Sequence, residues 1–427
     1  MEGKDKYYNK MALFISSKLG GKLTIAPTTK IKSEKDISIL YTPGSAAVAK
    51  EIVKDPLSSY KLTWRWNTIF IVTNGTRVLG LGDIGPLASL PVMEGKALLY
   101  KTYGGINAIP IPIKSTDVEE FVKIIDALSV TAGGIHLEDI SSPFCFEVLE
   151  KLQEKLSIPV WHDDQQGTAG ATLAGLINAF KLVGKDLKKA RMVLVGAGAA
   201  NIALFNLLEA YGVDLGNVIV GDSKGPLNKN RADIEEMKVS NRWKYQISEK
   251  SNRSEISGIN ESFDDADAII GFSAAGTIKP GWIKRMSDKP IVFANANPTP
   301  EISPKLAKKA GAYIISTARP DYPNQINNSL IFPGLFRGVL DSRTRFIDNK
   351  LIIAAAETLA ALAEKQGISK DNILPKTNQK EVHIRVAAAV AEYSSRTGNS
   401  MLKGDFRFFY NLAKENIVKG KHFADSG

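Results

Sequence analysis

Cysteine is nearly absent: Cys145 is the only one in 427 residues, so an internal disulfide is impossible and one chain cannot build a thiolate metal cluster. Histidine is scarce too, and the four present (His136, His162, His383, His422) leave little material for an imidazole-rich centre. Any metal would therefore be held mainly by oxygen. No run approaches the ~20 uncharged apolar residues of a membrane helix; the best stretch, 351–363, is short and carries Glu357. The polar start and the brief apolar run at 11–15 lack a secretory h-region, so a cytoplasmic address and no membrane partner are expected. Neither sign of charge is missing. Lys and Arg number 55 against 45 Asp and Glu, and the resulting +10 suits anionic partners without choosing among nucleic acid, nucleotide cofactors and small organic acids. The basic residues are scattered rather than striped, and the one basic-aromatic stretch, 403–423, reads as a solvated terminal helix, so no nucleic-acid partner is expected.

What is present is an ordinary globular composition, 44% apolar and 23% charged, in a chain long enough for two or three domains. Residues before 35 give few signals. A Thr-Pro-Gly break at 42–44 precedes an amphipathic helix over 45–54. TIFIVT, Asn74-Gly75 and TRVLGL read as two strands joined by a tight hairpin. A glycine-rich bend at 82–86 leads into a helix carrying Glu94, Gly95 and Lys96. From 109 onward apolar β-branched runs alternate with helices of a dozen residues or more, the pattern of parallel βαβ units. Strands are expected over 135–138, 158–161, 191–195 and 217–220, a helix capped by Ser142 with Pro143 in its first turn, and a long helix over 167–183. The fold class is α/β: an N-terminal α/β domain (1–165), a Rossmann-type dinucleotide-binding domain (166–345) and a helical C-terminal segment (346–427) folding back onto either part.

Two sites follow from spacing. Glu138-Asp139 and Asp163-Asp164 each end an apolar strand, with one crossover helix between them, so a right-handed βαβ unit sets both pairs at one sheet edge. Neighbouring strands are about 4.8 Å apart, and oxygens from both tips can reach one ion, Mg²⁺ or Mn²⁺ rather than Zn²⁺. Capping of the following helices satisfies the same spacing, so both readings stand here. The second site is VLVGAGAAN (193–201), a strand, a Gly-x-Gly turn and a helix start. Gly196 and Gly198 let the backbone approach a pyrophosphate, the N–H groups at Ala199 and Ala200 face its charge, and Asp222, closing the next strand, accepts from a ribose hydroxyl. Asn201 stands where the fingerprint has Gly or Ala and is expected to set the helix slightly farther from the sheet. Asp222 favours NAD, while Ser223 and Lys224 beside it accommodate NADP.

Seven segments then run collinearly: YTPGSAAVA (41–49), NGTRVLGLGDIGPLASLPVMEGKALLYKTYGGINAIPI (74–111), HLEDISSP (136–143), WHDDQQGTA (161–169), VGAGAAN (195–201), ANPTPEI (296–302) and PNQINNSLIFPGLFRGVLD (323–341). Together they resemble the malic enzymes of the short prokaryotic type. The resemblance implies oxidation of L-malate by NAD or NADP, decarboxylation to pyruvate and CO₂, dependence on Mg²⁺ or Mn²⁺, and a homodimer. Carried over by motif, Glu138, Asp139 and Asp164 resemble the metal ligands and Asp163 the acid that holds the catalytic lysine. Lys96 resembles the general base, Tyr41 the general acid, Arg77 a binder of a substrate carboxylate, and Asn297 and Asn328 the amides that position malate and nicotinamide. For Lys96 to take a proton its pKa must fall, which burial and a cation favour and Asp163 opposes. Gln166 replaces a usual His and Asn107 a frequent Asp. The rival readings are a malolactic enzyme, similar in motifs but releasing lactate with NAD kept bound, and a non-catalytic nucleotide-binding regulator that keeps only the Gly-x-Gly pocket.

Overall fold

The computed structural model describes residues 2–422, with side chains over 6–420. Strands β1 (Thr68–Thr73), β2 (Asn107–Pro112), β3 (Ile135–Leu137) and β4 (Val160–His162) form one parallel sheet in the order β2-β1-β3-β4. All six residues of β1 are buried, as a central parallel strand covered on both faces requires. The expected hairpin over 68–81 is not formed. β2 and β3 take both edges of β1, so none is left for residues 76–81. Asn74 Oδ1 instead accepts from the Thr76 hydroxyl at 2.7 Å, Gly75 turns at φ +71°, and the loop closes on the helix Gly85–Leu99 through Ile84 N–H and Gly85 N–H to Gly75 C=O.

The second sheet contains β5 (Met192–Val195), β6 (Val218–Asp222), β7 (Gly225–Pro226), β8 (Ala268–Gly271), β9 (Ile291–Ala294) and β10 (Ile314–Thr317), in the order β10-β9-β8-β5-β6-β7. Only β7 is antiparallel among these strands. The chain departs from β5 toward β6 on one side and continues at β8 on the other, so the switch point lies at the C-terminal end of β5, the Rossmann arrangement. One continuous apolar core runs through both sheets, from Ile69 on β1 to Phe293 on β9.

Helix starts correct a second expectation. The helix Phe144–Lys155 is preceded by Pro143, not Ser142, and no side chain caps it; the helix Thr168–Val183 begins on Gly167, also without a side-chain cap. Glu138 and Asp139 therefore do not cap the helix that follows them, whereas Asp163 and Asp164 stand in the first turn of Asp163–Gly167, which runs directly into Thr168–Val183, so for that pair a helix-start role and an ion site coexist.

The C-terminal helices do fold back. Asn349–Gln366 packs on Thr168–Val183, Lys380–Arg396 packs on Phe332–Ser342, and Phe406–His422 reaches the turn Tyr100–Gly104 just after the Lys96 helix. Phe409, Ala413 and Ile417 are buried, so this last helix is docked on one face rather than solvated all round. The buried pair Arg337–Asp341 fixes the seat, with Asn416 Nδ2 donating to Asp341 Oδ1 at 2.6 Å.

The N-terminal arm differs from all of this. Residues expected to be quiet form the helices Glu2–Leu19 and Glu34–Leu40, and the expected amphipathic helix forms as Gly44–Lys54. Yet no side chain described before Ser59 is buried. Among the described residues no helix is long and apolar enough to cross a membrane.

Candidate active site

β3 and β4 pair directly, Leu137 opposite His162, so the residues that follow them share one edge. Glu138, Asp139 and Asp164 each offer an oxygen within 4.8 Å of the others. Asp139 N–H donates to Asp164 Oδ2 at 2.9 Å, which bridges the two tips, and Asp139 sits in the left-handed region at φ +54°, strain of the kind held at functional sites. Asp164 and its neighbours form a π turn, Asp163–Gly167, that packs against the helix Ala199–Tyr211.

Lys96 comes down onto these tips from the helix that crosses the sheet. Its ammonium bonds to Asp163 Oδ2, lies 3.0 Å from Glu138 Oε2, and sits 4.8 Å from the centre of the Phe332 ring. Asp163 is saturated, because Trp161 Nε1 donates to its other oxygen at 3.1 Å. A second chain of bonds, not foreseen from sequence, reaches Glu138 from behind: Tyr100 Oη to His136 Nδ1 at 2.7 Å, and His136 Nε2 to Glu138 Oε2 at 2.6 Å. Burial holds the Tyr100 phenol well above its ordinary pKa, so it is the donor, and burial lowers His136 to about 3, so the ring is neutral. The network thus assigns the Nε2–H tautomer, donating to Glu138.

The cluster carries more negative charge than the protein neutralises. Burial, only partly offset by Lys96, raises Glu138 to about 7; burial and the neighbouring carboxylates raise Asp139 and Asp164 to about 8. Asp139 Oδ2 is buried with no hydrogen-bond partner. An orphaned oxygen within an all-oxygen donor set is what a hard divalent cation satisfies, and the residues fit one. Burial disfavours the charge on Lys96, but Asp163, Glu138 and Asp164 outweigh it and hold Lys96 above the ordinary lysine range. A cation among the same carboxylates acts in the opposite direction.

At the end of β5, Gly196 has φ +100° and a Cβ there would stand 2.6 Å from Phe272 C=O, whereas a Cβ at Gly198 would meet nothing within 4 Å. Gly198 precedes the helix Ala199–Tyr211, so open space faces the helix N-terminus, as a pyrophosphate needs. Asn201 ties this helix to the strand, Nδ2 donating to Val195 C=O at 3.1 Å and Gly196 C=O at 2.7 Å, which gives its polar side chain a bonded place in the turn. Asp222 is not free: Lys244 Nζ and Arg231 Nη1 each lie 3.0 Å from it. Its burial favours protonation, but those cations prevail and keep it anionic. Buried Glu301 joins two loops at this edge, accepting from Ser273 N–H at 2.7 Å and Ala296 N–H at 2.9 Å.

The remaining residues fall in two groups. Asn328 opens a short turn, Asn328–Leu330, ahead of Phe332, which touches Lys96. Asn297 is exposed beyond β9, and a Cβ at Gly80 would stand 2.5 Å from Pro298 Cδ, so the loop of Arg77 and the loop of Asn297 meet. Arg77 N–H donates to Asp139 C=O at 3.1 Å while its side chain is exposed. Tyr41 is not brought in. It is 70% exposed, and among the described residues its phenol has no hydrogen bond. The two departures have local partners, Gln166 Oε1 accepting from His162 N–H at 2.9 Å and Asn107 Oδ1 from Lys101 Nζ at 2.8 Å. His136, Tyr100, Phe332 and Glu301 were missed, and only His136, a lone polar residue inside an apolar strand, left a trace in the sequence.

Comparison with known proteins places these features in a group. The family model for the malic enzyme N-terminal domain matches residues 20–153, and that for the malic enzyme NAD binding domain matches 165–395. The chain is 42% identical over 386 residues to a bifunctional malic/malolactic enzyme of Bacillus subtilis, covering 90% of this chain and 92% of that one. To the NAD-dependent malic enzyme of Geobacillus stearothermophilus it is 44% identical over 381 residues, 89% and 78% of the two chains. The malic enzyme structure from Entamoeba histolytica superposes with a TM-score of 0.94 at 40% identity, covering 99% of this chain and 88% of that one.

Proposed function

Because this chain belongs to the malic enzyme family, we propose that it oxidises L-malate with NAD or NADP and decarboxylates the product to pyruvate and CO₂, with Mg²⁺ or Mn²⁺ as the metal. The observation that carries the reading is the meeting of Glu138, Asp139 and Asp164 around a buried orphan oxygen, with the Lys96 ammonium 3.0 Å from Glu138. Held there, a divalent cation would supply Lewis-acid polarisation of the substrate's C2 oxygen, and the nicotinamide of a dinucleotide whose pyrophosphate lies at the Gly196–Gly198 turn would accept a hydride.

The chain's own groups do the rest. Lys96 accepts the 2-hydroxyl proton, once the carboxylate charge that holds it protonated is offset. Asp163, locked by Trp161, fixes the direction of the ammonium. His136 and Tyr100 hold Glu138 from behind, as outer-shell groups orient a ligand carboxylate. Arg77 pairs with a malate carboxylate, and Asn297 and Asn328 orient substrate and nicotinamide amides. Tyr41, which stands exposed outside this pocket, is the group its motif assigns to return a proton to C3, where the departing CO₂ leaves its electron pair. The proton lost from oxygen is thus matched by one gained at carbon, and the hydride leaves on the nicotinamide.

The test mixes the protein with L-malate, Mn²⁺ and either NAD or NADP, and follows reduced nicotinamide and products together. Stoichiometric pyruvate and reduced cofactor are expected. Lactate without net reduced cofactor would instead place the chain with the malolactic activity named for the Bacillus subtilis relative, and cofactor binding without turnover under any divalent ion would leave a regulator.

A further inference from the structure

We infer that His162 is the positioning residue of Asp164: its ring Nδ1–H donates to Asp164 Oδ2 when a divalent cation occupies the acid pocket, and so holds that carboxylate toward the ion. The inference rests on the metal-dependent reading above and gives a task to a histidine that the reaction leaves idle.

His162 closes β4 and is fully buried, yet among the described residues neither of its ring nitrogens has a hydrogen-bond partner. A neutral imidazole carries one donor and one acceptor, and shutting both away from water unmet is costly. Buried polar side chains are nearly always bonded, so a doubly orphaned ring at the edge of an acid cluster marks a partner still to be engaged. Asp164 Oδ2 stands 3.9 Å from Nδ1. That is about 1 Å too long for a hydrogen bond, and it is too short for a bridging water, which needs two bonds of about 2.8 Å and so a gap of about 4.5 Å. Closure therefore falls to the side chains themselves. The His162 side chain is locked at 0% exposure, whereas that of Asp164 is 36% exposed and has room to turn. The carboxylate is the group that moves.

The other strand tip shows the finished form of this arrangement. His136 stands two residues before Glu138, as His162 stands two residues before Asp164, and its Nε2 is already bonded to Glu138 Oε2 at 2.6 Å. In the β3–β4 pair His136 lies opposite Trp161 and His162 opposite Leu137. Side chains alternate across the pleat, so the two histidines lie on opposite faces of the sheet, one leading to each acid. Tyr100 fixes the His136 ring from behind, but the side chain nearest in sequence that could serve His162, Gln166, bonds to its backbone N–H instead of its ring. Half of the donor set is thus held in advance and half is left to close. Asp164 as a ligand is a carboxylate, and a bond accepted by a charged group is about twice as strong as a neutral one, so ion and imidazole reinforce each other on the same side chain.

The test reads Mn²⁺ binding to metal-stripped protein by electron paramagnetic resonance in the wild type and two variants. His162→Leu keeps apolar bulk and removes both nitrogens, and His162→Asn places an amide N–H₂ where Nδ1 stands. His162→Leu is expected to bind Mn²⁺ about 10- to 100-fold more weakly, and His162→Asn to return to within roughly threefold of the wild type. Wild-type affinity in His162→Leu overturns the inference. Equal weakening in both variants also overturns it, because the ring would then only fill space. A second measurement holds even if His162→Leu does not fold: in ring-¹⁵N-labelled wild type with saturating Mg²⁺, the His162 signal, assigned by its loss in His162→Asn, is expected to show a protonated Nδ1 and a bare Nε2. The opposite tautomer overturns the inference. The reaction reading fails in a different way. If the wild type has no tight Mn²⁺ site, the ion goes and both fall together, whereas a tight wild-type site left unchanged by His162→Leu removes the inference alone.

Discussion

The pocket around Lys96 and the arm around Tyr41 were both singled out by short motifs, and the fold treats them oppositely. In the pocket, Glu138, Asp139 and Asp163 are buried at two paired strand tips with Asp164 half-buried beside them, and Lys96 and Trp161 bond to Asp163 while Asp139 N–H bonds to Asp164. On the arm, three helices form without one buried side chain among the described residues. The lesson is that a motif becomes a site when sheet pairing supplies its other half, whereas the motif on the exposed arm gains no such partner from its own fold.

Substitutions separate the two regions by size of effect. The largest is Lys96→Ala, which should cut turnover by about 10² to 10⁴ while leaving cofactor binding, read by fluorescence of reduced nicotinamide, unchanged. Next, Asp164→Asn should raise the Mn²⁺ concentration for half-activity by 10²-fold or so, since it removes a ligand charge and loosens the bridge to Asp139. His136→Gln and Tyr100→Phe should weaken Mn²⁺ binding by about 10- to 100-fold, the scale of outer-shell groups, and unchanged Mn²⁺ titrations in both would detach them from the site.

pH gives a subtler contrast. Glu138, Asp139 and Asp164 keep protons up to about 7 to 8 when folded, against about 4 when unfolded. The metal-free fold therefore binds more protons than the unfolded chain in that window, so this stabilisation is complete below about pH 4 and lost as pH rises through 7 to 8. Melting temperatures in chelator should fall from pH 5 to 9, and the fall should flatten with saturating Mn²⁺, whose affinity rises over the same range as the ligands deprotonate. The smallest effect belongs to the arm: Val53→Ser, at an exposed position, should change stability, read by thermal melting, by under about 0.5 kcal/mol.

Much of this was legible because it is local or periodic. Acid pairs closing two apolar runs, and glycines between a strand and a helix, carry their geometry with them once strands are parallel. What failed depended on competition for partners. Residues 76–81 look like a second strand, but β1 has no free edge. Ser142 looks like a cap, but the helix starts one residue later, beyond its reach. The Tyr100–His136–Glu138 chain joins a helix end to a strand that lies 36 residues away, which no spacing rule connects. The arm helices were partly visible, since only Gly44–Lys54 carries a clear amphipathic pattern behind a Thr-Pro-Gly break.

The most direct test of the central claim is a Mn²⁺ titration of the metal-stripped protein followed by electron paramagnetic resonance, in which protein-bound ion disappears from the signal of free Mn²⁺. One tightly bound ion per chain, lost in Asp139→Asn and Asp164→Asn and weakened in His136→Gln, is the predicted result. A full complement of bound Mn²⁺ in both aspartate variants, or no tight site in the wild type, would contradict it.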